Sequence, residues 1–410
     1  MNTRVFVTGM GLVGPCGNNV ETFWKSLLSG KSAIKELKDG FFWGGQVQGL
    51  APEQFIPKRI LHKCARFSIL SLLATHEAVH DAQLEFSEID PFRIGIFVGN
   101  NSGGWESAKN GLYTLYRCGG PYVSPFMASN WFPAAVQGHI SITYGIKGFS
   151  KTITADRMSS LLAIANAAQA IRMDKLEIAI VGGVETPLDP WALAFYRSCK
   201  ILNEDIACIE TAYQPFDNNR KGMVLGEGAA FFVLESEQSV KKRKKEHKIQ
   251  ANILASSVSS CGKYLPTTEE SIDQLARVLT QTINDSDLHS GIDYISLDGA
   301  ATIEDDYIEY TALKKVFGNK TRSIYAGCPK SFFGNTIGAS GAFDLAMAIL
   351  SMNHSLIPHI SNLSKPDRSC TLNLIQSKPV SCAVHSALII SRDLFGSSSA
   401  MAITHNAFCL

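Results

Sequence analysis

"KTITADRMSSLLAIANAAQAI" (Lys151–Ile171) opens with a β-branched strand, passes through a short turn and continues as a helix of small and apolar residues. A second apolar strand, "EIAIVGG" (Glu177–Gly183), follows shortly afterwards. Continuous apolar strands that alternate with helices are typical of a sheet covered on both faces. This stretch therefore predicts an α/β fold.

The turn of this stretch is a place where enzymes expose a reactive side chain. Free backbone N–H groups in the first turn of a helix can stabilise an anion, and nucleophiles often stand at such a turn. Here Arg157 occupies the tip. A guanidinium stays protonated and cannot attack a substrate. The sequence thus has the setting of a nucleophile without the nucleophile.

The same pattern occurs a second time along the chain. The first half starts with the strand "RVFVTG" (Arg4–Gly9) and includes the stretch above; the second half has "DYISLDG" (Asp293–Gly299), "GNTIGASGAFDLAMAIL" (Gly334–Leu350) and "CAVHSALIIS" (Cys382–Ser391). The basic run Lys241–Lys248 separates them. We predict an internal duplication with largely parallel sheets, the N-terminal half comprising residues 1–245 and the C-terminal half residues 246–410.

Composition narrows the possible functions. The chain has 410 residues, a hydrophobic fraction of 45% and a net charge of +1, which argues against a general electrostatic attraction to nucleic acid or to an anionic membrane. The ten cysteines form no CxxC pair, so we expect reduced, mostly buried thiols. Early glycines argue against a signal peptide, and no apolar run has the length of a membrane span. A cytoplasmic protein without metal or cofactor is expected.

Two motifs point elsewhere. "GMGLVG" (Gly9–Gly14) fits the dinucleotide pattern GxGxxG, but Pro15, Gly17 and Asn18 prolong the loop and the next helix is predicted to start near Val20. A dinucleotide site requires the helix to open at once. We therefore interpret the motif as a tight exit from the strand.

"HEAVH" (His76–His80) fits HExxH, in which two histidines on one helical face bind zinc and a glutamate acts as a base. A zinc hydrolase that uses His76, Glu77 and His80 is therefore an alternative hypothesis. The surrounding sequence is that of an amphipathic packing helix, and no third ligand is apparent. The preferred interpretation is two partly buried structural histidines.

Four segments together resemble the β-ketoacyl synthase family. They carry the opening strand and helix, the "VGG" strand, a "PFD…GEGA" block and a "K-S-x-x-G" motif, and they occur in the family's order: Arg4–Ile34, Ile180–Glu185, Gln214–Ser236 and Cys328–Ala342. The resemblance implies the thiolase fold, in which two duplicated halves build five αβαβα layers and two chains form a dimer.

In active members of this family, a cysteine accepts the acyl chain and two histidines stabilise the enolate of the extender unit. By position, the cysteine corresponds to Arg157 and the histidines to Asp298 and Asn335, while Lys330 of the K-S motif is retained. The nearest cysteines in the sequence, Cys118 and Cys199, are too far along the chain to be shifted into place. A guanidinium is no nucleophile, an ionised carboxylate would repel an enolate, and an amide cannot titrate. The resemblance therefore implies a chain without independent condensing activity.

Three further segments are similar to the chain length factors of type II polyketide synthases: Asn100–Tyr116, Ser129–Gly148 and Val184–Phe195. In that subgroup the nucleophile is replaced and the factor pairs with a catalytic ketosynthase. Carried over by position, the residues that close the polyketide tunnel are Trp105, Ala108 and Leu112, with Trp191 nearby. The spacing of the first three places them on one face of a helix.

The resemblance implies a heterodimer with a catalytic ketosynthase, to which an acyl carrier protein delivers the chain. Lys241–Lys245 is a candidate basic surface for that carrier. A self-sufficient synthase with atypical residues remains the alternative. We further hypothesise that Arg157 and Asp298 form an ion pair in the former active site, with Asp156 as a competing partner, because either charge alone would be costly to bury.

Overall fold

The structure is a computed structural model that describes residues 3–37, 42–288 and 291–405. Its strands, in chain order, are Val5–Val13 (β1), Ile34–Glu36 (β2), Trp43–Gly45 (β3), Ile94–Gly99 (β4), Lys151–Ile153 (β5), Ile178–Glu185 (β6), Gly228–Ser236 (β7), Ala251–Ser260 (β8), Tyr294–Ser296 (β9), Tyr325–Gly327 (β10), Leu356–Ile357 (β11), Asn373–Leu374 (β12), Val380–Ser381 (β13), Ser386–Arg392 (β14) and Ser397–His405 (β15).

The α-helices are Val20–Leu28 (α1), Lys58–Leu61 (α2), Arg66–Asp81 (α3), Trp105–Cys118 (α4), Met127–Trp131 (α5), Ala135–Tyr144 (α6), Ser159–Arg172 (α7), Pro190–Ser198 (α8), Glu237–Arg243 (α9), Thr268–Ser286 (α10), Ile303–Phe317 (α11) and Ser340–His354 (α12). Among the described residues, no helix combines the length and apolar character that a membrane span requires.

The sheet shows the predicted duplication directly. Its eleven strands run in the order β12-β10-β9-β14-β15-β8-β1-β7-β6-β4-β5. From β1 outward the order is β1-β7-β6-β4-β5, and from β8 outward the equivalent strands follow as β8-β15-β14-β9-β10. In both series the first two pairs are antiparallel and the next two are parallel. Residues 5–7 of β1 pair with residues 251–253 of β8 and join the halves.

The helices complete five layers. The central helices α7 and α12 lie between the halves and share the largest hydrophobic cluster with strands of both. On one outer face, α3 and α6 pack on the N-terminal strands; on the other, α10 and α11 pack on the C-terminal strands. This is the thiolase fold that the resemblance implies. The boundary between residues 245 and 246, which lies between α9 and β8, stays a prediction.

The expectation of largely parallel sheets is wrong. β7 pairs antiparallel with both β1 and β6, and β15 pairs antiparallel with both β8 and β14. β14 and β15 are joined by a short loop, and two adjacent strands joined in this way can only be antiparallel. In the described part of the chain, the parallel pairs are those of β4 with β5 and β6, of β9 with β10 and β14, and of β10 with β12.

The interpretation of Gly9–Gly14 as a tight strand exit is also wrong. β1 continues to Val13, and Gly9 and Gly11 pair with Val233 and Phe231 of β7. A Cβ on Gly11 would lie 2.0 Å from the carbonyl oxygen of Ala74 in α3. The glycines therefore allow α3 to pack closely against the strand. The predicted start of the next helix at Val20 is confirmed, with Asn19 as its N-cap.

The cysteines are less buried than expected. Of the nine that lie in the described part of the chain, Cys16 and Cys328 are buried and Cys118 and Cys208 are exposed. All nine are free thiols.

Candidate functional site

The turn between β5 and α7 holds Arg157 inside the protein. Asp156 has a φ of +46°, a left-handed conformation that reverses the chain at the end of the strand. Ser159 fixes the turn, because its Oγ accepts a hydrogen bond from the N–H of Ala155 and donates one to the carbonyl of Asp156. As a result the side chain of Arg157 points inward and is only 1% exposed.

The hypothesised ion pair between Arg157 and Asp298 is present. Arg157 Nη1 lies 3.3 Å from Asp298 Oδ2, while the competing Asp156 Oδ2 lies 3.9 Å from Arg157 Nε. The two nearer atoms make no aligned hydrogen bond, so their attraction is between charges. Burial acts to lower the pKa of Arg157, but Asp298 and Asp156 more than compensate and hold that pKa above its ordinary value.

The remaining donors of Arg157 bind the backbone of the C-terminal half. Nε donates to the carbonyl of Arg392 at 2.8 Å, and Nη2 donates to the carbonyl of Asp393 at 3.3 Å. These two residues end β14 and begin the short loop to β15. Arg157 therefore joins the turn after β5 in the first half to the end of β14 in the second half, which the sequence did not predict.

Asp298 follows β9 and is fixed by groups around it. Its N–H donates to Glu309 Oε1 at 2.7 Å, and its Oδ1 accepts a hydrogen bond from the N–H of Arg392 at 3.4 Å. Burial raises the pKa of Glu309 to about 7, with a further contribution from Asp298. Buried acids thus lie around the guanidinium of Arg157, and the guanidinium of Arg392 lies 3.3 Å from one of them, Asp305.

Lys330 and Asn335 lie on the loop before α12. Lys330 Nζ donates to Asp344 Oδ2 at 2.7 Å and to the carbonyl of Asp298 at 3.1 Å. Asn335 Oδ1 accepts hydrogen bonds from the N–H of Ile337 and from Ser340 Oγ. Lys330 therefore lies beside Asp298, whereas the amide of Asn335 supports the turn that leads into α12.

Cys328 is a thiol near this site that the sequence analysis did not single out. Its Sγ would lie 2.5 Å from a Cβ placed on Gly299, the residue after Asp298. Burial raises the pKa of the Cys328 thiol well above its ordinary value, against a smaller opposing effect of Lys330. The thiol is therefore protonated at neutral pH and is a poor nucleophile.

The predicted gating residues lie on α4 and α8, which pack against each other. Ala108 is buried, Trp105 and Leu112 are half-buried, and Trp191 is 41% exposed. The ring of Trp105 meets the ring of Phe195 edge to face, with 6.2 Å between the ring centres. Phe195, which the sequence did not single out, is thus the aromatic neighbour of Trp105 on α8.

The His76–His80 motif has a structural role. Glu77 accepts hydrogen bonds from the N–H groups of Leu12 and Val20 at 2.9 and 2.8 Å, so its carboxylate supports the loop between β1 and α1. Both histidines are exposed, contrary to the expectation of partial burial. The described residues contain no group of three side chains suited to a metal ion. A cavity of about 1070 Å³ borders this helix and is not lined by Arg157 or Asp298.

Comparison with known proteins identifies the family of the chain. The family model of the β-ketoacyl synthase N-terminal domain matches residues 2–239, and the model of its C-terminal domain matches residues 250–364. A putative polyketide β-ketoacyl synthase 2 of Streptomyces halstedii is 31% identical over 98% of both chains. A 3-oxoacyl-[acyl-carrier-protein] synthase 2 of Staphylococcus aureus is 28% identical over 92% of both.

Solved structures share the fold. One is a type II polyketide synthase acyl-carrier protein in complex with its ketosynthase bound to the hexaketide, with a TM-score of 0.90, 23% identity and coverage of 99% of this chain and 100% of that chain. Another is the ishigamide ketosynthase/chain length factor, with a TM-score of 0.88, 22% identity and coverage of 99% and 100%. With both family models matched in order, the chain belongs to the β-ketoacyl synthase family.

Proposed function

We propose that this chain is a non-catalytic subunit of the chain length factor type, which pairs with a ketosynthase and shapes the tunnel that sets polyketide length. The observation that carries the proposal is the former active site, where Arg157 is buried against Asp298 at 3.3 Å. A guanidinium held in this way cannot accept an acyl chain. If it left the pocket, the carboxylate of Asp298 would stay buried without an opposite charge.

The groups around Arg157 do not supply another nucleophile. Its contacts are carboxylates and backbone carbonyls, and the neighbouring thiol of Cys328 is protonated because burial raises its pKa. Asn335, at the position of a family histidine, uses its oxygen within its own loop. Condensation therefore requires a partner that brings its own cysteine and histidines.

An apolar surface between α4 and β5 supports such a partner. The helix α4 buries Ala108 and leaves most of its other residues at the surface, and α5 and α6 continue the surface. Its exposed large side chains are Tyr113, Leu115, Tyr116, Tyr122, Phe126, Trp131, Phe132, Ile142 and Phe149. A monomeric protein rarely exposes so many apolar groups in one region. We assign this α4–α6 surface to the ketosynthase, which would also bring α4 to the tunnel.

Part of the basic segment Lys241–Lys245 already has partners. Lys241 donates to Glu237, Lys245 donates to Gln83 and Arg243 pairs with Glu235. A carrier protein that docks here would meet mainly Lys242 and Lys244, which are exposed. Docking at this surface stays a prediction.

The test is co-expression with type II ketosynthases that carry an intact cysteine and two histidines. In the complex, Trp105→Ala vacates about nine heavy atoms beside Phe195, so we expect products longer by about one or two two-carbon units. Trp105→Phe should give a smaller shift. Trp24→Phe, a matched change on α1 where the ring stacks on His354, should leave the product length unchanged. Product masses are measured directly.

Two outcomes would overturn the proposal. One is an unchanged product distribution for Trp105→Ala in an active complex. The other is an acyl adduct on the isolated chain after incubation with acyl carrier protein, detected by mass spectrometry, with Cys328 as the residue to inspect first. The second outcome would favour the self-sufficient synthase.

A further inference from the structure

Glu185 is a fully buried carboxylate. In the described part of the chain it accepts hydrogen bonds from backbone N–H groups and a hydroxyl, all of which are neutral. It ends β6 and is 0% exposed. Its Oε2 accepts hydrogen bonds from the N–H of Asn101 at 2.8 Å and of Gly338 at 3.1 Å. Its Oε1 accepts hydrogen bonds from the N–H of Ser102 at 3.0 Å and from the Ser102 hydroxyl. One side chain thus connects the loop that starts α4 with the turn after Asn335.

Asn101 extends this connection to Arg157 and to α8. Its Oδ1 accepts a hydrogen bond from the N–H of Asp156 at 3.1 Å, and its Nδ2 donates to the Tyr196 hydroxyl at 3.2 Å. That hydroxyl in turn donates to Asp156 Oδ1 at 3.4 Å. Hydrogen bonds therefore link the start of α4 and Tyr196 of α8 to the turn of Arg157 and to the turn after Asn335. Trp105 and Phe195 are the neighbours of these linked residues on α4 and α8.

This loop has little freedom to move. A Cβ on Gly338 would lie 2.4 Å from Glu185 Oε2 and 2.8 Å from the nitrogen of Asn101. Gly103 has a φ of +63°, and a Cβ there would lie 2.2 Å from the carbonyl oxygen of Trp131. Because α4 buries few of its own side chains, the loop at its start helps to set its direction, together with the packing of α4 against α5 and α8.

We propose that Glu185 is a positioning residue for chain length: it fixes the start of α4 and so holds Trp105 at one depth in the tunnel. The inference rests on the proposed function. The chemistry favours a carboxylate, since its two oxygens accept all four donors, whereas the amide of glutamine would turn an N–H₂ group towards two of them. The loop would then lose acceptors and sample other positions.

The test measures product length in the ketosynthase complex for Glu185→Gln. We expect the fraction of the main product to fall by about two- to tenfold in favour of neighbouring lengths, the population change that corresponds to one net hydrogen bond. Tyr196→Phe, which removes only a hydroxyl, should give a smaller change in the same direction. If the Glu185→Gln protein does not form the complex, the product lengths of Tyr196→Phe test the inference. Glu77→Gln is the matched control, because Glu77 also accepts two backbone N–H groups but lies on α3.

A double variant separates positioning from general loss of structure. If Glu185 acts through Trp105, adding Glu185→Gln to Trp105→Ala should change the product distribution no further, whereas an unrelated structural effect would add. Additive changes, or wild-type distributions for both Glu185→Gln and Tyr196→Phe while Trp105→Ala shifts the products, would overturn this inference alone. An unchanged distribution for Trp105→Ala would overturn the proposed function and the inference with it.

Discussion

At the scale of single residues, Arg157 is held by two kinds of partner, a carboxylate and backbone carbonyls. Asp298 neutralises its charge, and the carbonyls of Arg392 and Asp393 occupy two of its donors. Removing one partner of a buried ion pair is costlier than never having had the pair, because the other charge stays in a medium that solvates it poorly. The site around Arg157 is thus filled by paired groups and is not a vacant pocket.

Arg157→Met is expected to destabilise the protein by about 3–5 kcal/mol, since it leaves Asp298 buried without its cation. The free energy of unfolding is measured by denaturant titration. Arg172→Met is the matched control, because Arg172 donates to the carbonyls of Ile253 and Leu254 and its removal leaves no buried carboxylate without a cation. For this variant we expect the free energy of unfolding to fall by about 1–2 kcal/mol. Equal effects of the two variants would contradict the role of the ion pair.

Asp156 gives the site a pH dependence with a defined sign. Burial raises the pKa of its carboxyl from 3.8 to about 6, against the attraction of Arg157. The folded state thus holds this proton more tightly than the unfolded state, so the stabilisation is complete below pH 3.8 and is lost as the pH rises through 6.

Asp156→Asn removes this titration and suits the left-handed backbone, which asparagine tolerates. We expect the stability of wild type relative to Asp156→Asn to fall by at most about 3 kcal/mol as the pH rises from about 4 to 7. Unfolding curves of both proteins at several pH values measure this difference. Parallel stability profiles would show that the carboxyl is ionised throughout.

At the scale of elements, α4 has an unusual position for its sequence. It is amphipathic, yet of its residues, all of which the structure describes, Ala108 alone is fully buried. Tyr113 and Tyr116 on the same helix are 61% and 84% exposed. A second apolar surface would cover these exposed side chains, and a partner that packs on the α4–α6 surface would supply it.

Tyr116→Glu places a charge on the α4–α6 surface and is expected to weaken association with the proposed ketosynthase partner by about tenfold or more, because the charge would be desolvated without an oppositely charged group. Tyr264→Glu is the control, since Tyr264 is 81% exposed but lies in the loop between β8 and α10. Binding of purified subunits measures the affinities. Equal weakening by both substitutions would place the ketosynthase elsewhere.

At the scale of the whole molecule, duplication explains why the site joins both halves. Arg157 follows β5 of the first half, while Asp298 follows β9 and Arg392 ends β14 of the second. The central helices α7 and α12 bring these edges together, because they share one hydrophobic core. A protein with this architecture can keep its shape when side chains of the site are replaced, since the core depends on the apolar strands and not on those side chains.

The sequence by itself determined the alternation of strands and helices, the duplication, a helix over Ser159–Ile171 and the kind of side chain at positions 157, 298 and 330. These depend on local periodicity and on residue chemistry, which a linear pattern contains. It also supported the pairing of Arg157 with Asp298, because two buried opposite charges require each other.

Only the tertiary structure decided the antiparallel pairing around β7 and β15, the carbonyl partners of Arg157, the nearness of Cys328 and the links made by Glu185. Each depends on segments far apart in the chain, such as residues 157 and 392, which are separated by 235 positions. Hydrogen-bond partners and burial are set by which surfaces meet after folding, and no local pattern encodes that meeting.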